Sequence, residues 1–192
     1  MRRIILASSS KLRQAIMRSL QIPFEIIPPD IDEKSIRDSN LALRAEKIAR
    51  AKAEKIAADN TDAVIIAADT FNAIREFVLE KPKNLEDARK MLLLQSGKKG
   101  KTYTGFCYID QNYDINISKT VEIEYTFRGL SNQEIDEYVK NNPVLTWSAA
   151  FAPANTRGLV LIANMTGSMT GFTHGLPVEE LMPLLKHSNI EY

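Results

Sequence analysis

Between Ala63 and Ala68 the chain reads AVIIAA, and an acid, Asp69, follows at once. A strand with one wet face alternates apolar and polar residues. An unbroken apolar run of this length fits a strand covered on both faces. Such strands belong to sheets with helices packed on each side, so this one run points to the α/β class.

The surrounding pattern agrees. A short apolar run, Arg3–Ala7, precedes a helix expected from about Lys11 to Leu20. A second strand is expected at Phe24–Ile27, closed by Pro28-Pro29. Good helix formers fill Leu41–Ala58. Asn84 is placed to cap a helix over Leu85–Gln95, with Gly97 as its stop. Strands are expected at Tyr103–Ile109 and at Val121–Phe127, where Val121, Ile123, Tyr125 and Phe127 alternate with Glu122, Glu124 and Thr126. Ser131 and Glu134 have capping-box spacing ahead of Ile135, Tyr138 and Val139. A last strand is expected at Leu159–Ala163, and Pro177 suits the first residue of a final helix. Strands alternating with helices early and paired strands later imply a mixed, twisted sheet with flanking helices.

Composition removes several function classes. Lys plus Arg (25) against Asp plus Glu (24) leaves a net charge of +1, so nothing draws the chain generally to nucleic acid. No apolar run approaches the ~20 residues of a membrane span. Cys107 is the one cysteine, which rules out a disulfide framework or cysteine-rich zinc site and fits a reducing cytoplasm. Two histidines, His174 and His187, are too few for a histidine metal cage. No Walker-type or dinucleotide-binding glycine pattern occurs.

The chemistry-bearing residues sit where strands hand over to helices. Ser8-Ser9-Ser10 joins the first strand to a helix beginning Lys11-Leu12-Arg13. The turn is either a plain N-cap or an anion site, in which free backbone N–H groups and Arg13 hold phosphate. Asp69 stands at the end of a buried strand, the edge where ligands bind in open α/β sheets, and a carboxylate there needs a partner. Lys52 falls on the apolar stripe Ala45, Ile48, Ala49, Ala53, Ile56. It either snorkels past the edge or reaches an internal anion. Glu33 ends the acidic turn Asp30–Glu33, and Lys81 precedes Pro82. Two carboxylates able to share a hard divalent ion, ringed by three cations, suit metal-assisted attack on a polyphosphate.

These pieces, in order, resemble the Maf nucleoside triphosphate pyrophosphatases, also described as septum-formation-inhibitor-like proteins. The resemblance rests on LASSS…R at the start, DIDE (Asp30–Glu33), AEKIARAKAEKI, AADT (Ala67–Thr70), EKP (Glu80–Pro82), SG…YTG (Ser96 to Gly105), TFRGLSNQEIDEYV and GLP (Gly175–Pro177). It covers nearly the whole chain, read as a single Maf-like domain over 1–192. It implies two lobes around a central cleft, often dimeric. The implied reaction is hydrolysis of a nucleoside triphosphate to the monophosphate and pyrophosphate in the cytoplasm, with a divalent cation (Mg, Mn or Co). By matching position, Asp69 would bind metal or activate water and Glu33 would be a second metal or base residue. Arg13, Lys52 and Lys81 would hold the triphosphate, and Ser8 and Ser10 would add donors.

The chain also departs from the family pattern. Lys11-Leu12 replaces the usual Pro-Arg or Pro-Trp, and Phe71 stands where a small β-branched residue is usual. The loop written AGAY-x-IQG in the family is SAAFAPAN here (Ser148–Asn155). The family glutamine aligns near Ala154, with Asn155 the nearest amide. TYTG and IDEYV lean toward 7-methylguanosine triphosphate as substrate, AADT toward dTTP and UTP. The altered loop motivates a rival expectation, a catalytically weakened nucleotide-binding regulator of cell division.

Overall fold

The computed structural model describes residues 2–154 and 156–191. Seven strands hydrogen-bond in the order β2-β1-β3-β5-β6-β7, with β4 added to β3. They are β1 (Ile4–Leu6), β2 (Glu25–Ile26), β3 (Val64–Ile74), β4 (Phe77–Leu79), β5 (Lys99–Asp110), β6 (Ile115–Phe127) and β7 (Ile162–Thr166). The helices are α1 (Lys11–Ser19), α2 (Leu41–Ala57), α3 (Leu85–Gln95), α4 (Asn132–Asn141), α5 (Thr156–Leu159), α6 (Met169–His174) and α7 (Val178–His187). β1 runs parallel to β2 and β3, whereas β4 pairs antiparallel with β3 and β7 antiparallel with β6. The sheet is mixed, as the alternation of elements implies.

The chain divides into two compact units. One comprises Met1–Thr70, Thr104–Val121 and Ser168–Tyr192, the other Phe71–Tyr103 and Glu122–Gly167. In the first unit a period of two sorts the sheet into two apolar layers. Ile4, Leu6, Val64, Ile66, Ala68, Phe106 and Tyr108 pack with Met17 of α1 and Leu181 and Leu185 of α7. Ile5, Ala7, Ile65, Ala67, Cys107 and Ile109 pack with Ala49, Ala53 and Ile56 of α2. This double cover is why AVIIAA shows no alternation. α2 lies directly on β5: a Cβ at Gly105 would fall 2.0 Å from the Ala45 carbonyl oxygen, so only glycine allows that approach.

In the second unit the alternation over β6 is real. Ile123, Tyr125 and Phe127 are buried and Glu122 and Glu124 exposed. Tyr125, Phe127 and Phe151 form a ring cluster with centroids 5.0 to 5.9 Å apart. α4 begins with the full capping box, and Asn84 caps α3 by accepting from the Asp87 N–H.

Three expectations need correction, and one hairpin carries no sequence signal. β3 does not end at Ala68; it runs on to Ile74, so Asp69 is inside a strand. The final strand starts at Ile162 rather than Leu159, because residues through Leu159 form α5 and register against β6 pairs Tyr125 with Met165. Pro177 is the residue before α7, not its first. The β3–β4 hairpin turns at Arg75-Glu76, which carries none of the Asn-Gly or Asp-Gly signals, although Arg75 takes φ +54°.

Candidate functional site

Strand parity sends neighbouring residues to opposite layers. β1 pairs with β3 only as far as Leu6 and Ile66, while β3 continues beyond it. Asp69 shares the parity of Ile65 and Ala67 and meets α2; Thr70 shares that of Ile66 and Ala68 and meets α1. Two polar clusters result, one on each layer, where β1 has stopped.

On the α2 side, Lys52 is 5% exposed and its Nζ lies 2.7 Å from Asp69 Oδ1 and 2.9 Å from Glu33 Oε1. Lys52 therefore reaches internal anions and does not snorkel. Its stem lies among the alanines and isoleucines of α2, which removes competing water and strengthens the pair. Asp69 is itself 9% exposed, a burial that a carboxylate tolerates only with such a partner. Glu33 arrives from the loop after β2. There Asp32 accepts the Lys34 N–H and shapes a tight turn, while the Glu33 carboxylate stays about half exposed.

On the α1 side, Ser10 is the N-cap, accepting the Arg13 N–H. The Ser8 hydroxyl oxygen accepts the Ser10 N–H at 3.1 Å and Arg13 Nη1 at 3.3 Å. The cap alternative for the serine turn is thus seen directly. Arg13 turns inward: its Nε donates to the Gly175 carbonyl at 2.8 Å and Nη2 to Thr70 Oγ1 at 3.1 Å. Gly175 ends α6 at φ +67°, and a Cβ there would lie 2.7 Å from Thr70 Oγ1. The cation faces the carbonyl end of α6, a favourable arrangement. Burial lowers the Arg13 pKa, and the charges of Asp69 and Glu33 oppose that shift.

Lys81 belongs to the second unit and is exposed just after β4. Three participants carried no assigned role in the sequence reading: Thr70, Thr104 and the Gly175 carbonyl. The first two lie within AADT and YTG, and strand parity was the signal available for Thr70. In the SAAFAPAN loop, Ala149 and Ala150 take φ +59° and +61°. The Ser148 hydroxyl donates to the Leu79 carbonyl, and Gln95 donates to the Ala149 carbonyl. Asn155 lies outside the described residues.

The donor set fits a hard divalent cation only in part. Glu33 and Asp69 converge on one point, held there by Lys52. No group of three or more acid, histidine or cysteine side chains that could enclose a metal occurs among the described residues. Magnesium-like ions are commonly held by one or two carboxylates plus water and substrate phosphate, and these two residues suit that arrangement.

Residues 3–188 match the family described as Maf-like protein. A dTTP/UTP pyrophosphatase of Ruminiclostridium cellulolyticum is 33% identical over 190 residues, covering 98% of this chain and 97% of that one. A dTTP/UTP pyrophosphatase of Bacillus cereus is 31% identical over 191 residues, covering 100% and 98%. Among solved structures, the Staphylococcus aureus Ham1 protein superposes with a TM-score of 0.55 at 12% identity, over 97% of this chain and all of that one. A HAM1 protein from Coxiella burnetii gives 0.51 at 18% identity, over 97% and 99%. At such low identity these two speak for the fold alone. No helix among the described residues is long and apolar enough to cross a membrane. From Arg3 through the end of its last helix, the chain belongs to the Maf-like protein family.

Proposed function

We propose that this chain is a nucleoside triphosphate pyrophosphatase that hydrolyses dTTP and UTP to the monophosphate and pyrophosphate, assisted by a divalent cation. The observation that carries the reading is the meeting of Glu33, Lys52 and Asp69, from three separate segments, in an ion cluster on one layer of the sheet, with Arg13 buried on the other. A fold gains little from burying so many charges in one place, whereas a polyphosphate site requires them.

The Asp69 carboxylate accepts a proton from water as the water oxygen bonds to the α-phosphorus. The bond from that phosphorus to the bridging oxygen then breaks, and pyrophosphate leaves with the electron pair. Lys52, 2.7 Å from its Oδ1, keeps Asp69 aimed. Arg13 and Lys52 offset the charge gathering on the departing group, with Ser8 and Ser10 as additional donors. Lys81 takes the same task by its position in the family motif EKP. Glu33 and Asp69 would hold the cation, which supplies a Lewis acid for the phosphoryl oxygens.

Pyrophosphate release measured on dTTP, UTP and 7-methylguanosine triphosphate, each with Mg²⁺, Mn²⁺ or Co²⁺, tests this. The expected result is cation-dependent turnover, fastest on the pyrimidine nucleotides and abolished by chelator. A second reading, the weakened regulator, draws on the loop at Ser148–Ala154, where no glutamine stands and the Ser148 hydroxyl is turned onto the protein. Nucleotide binding without turnover on every substrate would favour it.

A further inference from the structure

Thr104, on β5, is fully buried and hydrogen-bonds to Thr70 and Gly171. Its hydroxyl donates to the Gly171 carbonyl of α6 at 3.0 Å and lies 3.2 Å from Thr70 Oγ1. A threonine hydroxyl has a single proton. With that proton on Gly171, Thr104 can only accept from Thr70. Arg13 Nη2 can only donate, so Thr70 must accept from it. The protons therefore run one way, from Arg13 to Thr70 to Thr104 to the Gly171 carbonyl of α6.

We propose that Thr104 is a positioning residue for Arg13, acting through Thr70. It holds the Thr70 hydroxyl proton away from the guanidinium, so that the Thr70 oxygen presents a lone pair to Nη2. Without Thr104, the Thr70 proton is free to turn toward Arg13 and repel it. The nearest alternative acceptor is the Gly175 carbonyl, at a poor 3.5 Å. That carbonyl is also the one Arg13 Nε uses, so the two donors would compete for it. Rotating the guanidinium shifts Nη1 and Nη2, the atoms through which Arg13 would meet a phosphate. The inference rests on the reading that Arg13 grips the triphosphate.

Losing the Thr104 hydroxyl should not unfold the chain, because the Gly171 carbonyl keeps the Gly175 N–H as a partner. The test uses the purified full chain with Thr104→Val, Thr104→Ala, Thr104→Ser and Arg13→Lys, singly and as Thr104→Val combined with Arg13→Lys. Pyrophosphate release and NMR hydrogen exchange at the Arg13 Nε–H are both read. Removing the hydroxyl (valine or alanine) is expected to lower kcat/KM about tenfold and to speed Nε–H exchange by a similar factor. Serine is expected to restore both to within about twofold, since it keeps the hydroxyl. In the Arg13→Lys background Thr104→Val should add nothing further, the mark of a shared path. Multiplying effects with Nε–H exchange unchanged would make Thr104 merely structural and overturn this inference while leaving the proposed activity standing. Unimpaired turnover in Arg13→Lys would instead overturn the phosphate-gripping reading, and the importance of Thr104 with it.

Discussion

The two units bury polar groups in different ways. In the first, the buried charged side chains are Arg13, Lys52, Asp69 and Asp110; in the second, the buried polar side chains are the neutral Asn72, Gln95 and Thr102. Gln95 shows what a closed arrangement looks like. Its amide donates to Met91 and Ala149 carbonyls, and its oxygen accepts from Tyr125 under the aromatic cluster. Asp110 is closed too, gripped by both Nη atoms of Arg2. The Lys52 cluster differs, because one of its two acids, Glu33, remains about half exposed. A buried cation shared with a half-open carboxylate is poor packing and good chemistry.

That contrast can be broken most directly at Asp69. Asp69→Asn is expected to slow pyrophosphate release by about a thousandfold while the melting temperature moves by only a few degrees, since the amide keeps the shape. Undiminished turnover would put the chemistry elsewhere. The opposite signature belongs to the second unit: Phe127→Ala should cost about 3–5 kcal/mol of stability in a denaturant melt, with the KM of the folded fraction unchanged. Lys52→Met keeps the stem and removes the ammonium, and is expected to slow turnover about a hundredfold through a misaimed Asp69. A larger effect on KM than on kcat would make Lys52 a binding group only.

The smallest expected effect erases the contrast. Burial pushes the Cys107 thiol up from an ordinary 9.0 to about 12 and the Tyr108 phenol from 10.0 to about 12. Tyr125 in the second unit is raised for the same reason. Each group stays neutral when folded but ionises when unfolded above its ordinary value. Its contribution is therefore complete below pH 9 or 10 and lost as pH climbs toward the folded value. Stability should fall by about 1.4 kcal/mol per pH unit for each such group, above pH 9 for the thiol and above pH 10 for the phenols. Cys107→Ala should move the onset toward pH 10. An onset unmoved by that variant would show that the thiol does not set it.

Much of the fold was legible because its signals are local. Asn84, Ser131 and Glu134 announce helix starts through side chains that bond backbone N–H groups three residues away. AVIIAA announces a doubly covered strand. The misses lack such a signal. The start of β7 depends on register against β6, which lies far back in the chain. The length of β3 depends on β4 taking over pairing at Asn72–Ile74, and β4 follows across a turn, Arg75-Glu76, that carries no hairpin signal.

For the candidate site, the residue types were legible and the partnerships were not. Arg13, Glu33, Lys52 and Asp69 stood out as charges at junctions or on an apolar stripe, and Lys52 was left between two fates that only the fold could separate. The sequence by itself determined the α/β class, the helix caps and the family, because propensity, periodicity and ordered motifs act over short stretches of chain. Tertiary structure alone decided that Lys52 finds Asp69 across the α2 layer, and that Arg13 binds the carbonyl of Gly175, 162 residues away, across the other. Parity splits Asp69 from Thr70 onto opposite layers, but what waits on each is settled by how distant elements pack, and hydrogen bonds over such separations leave no local trace.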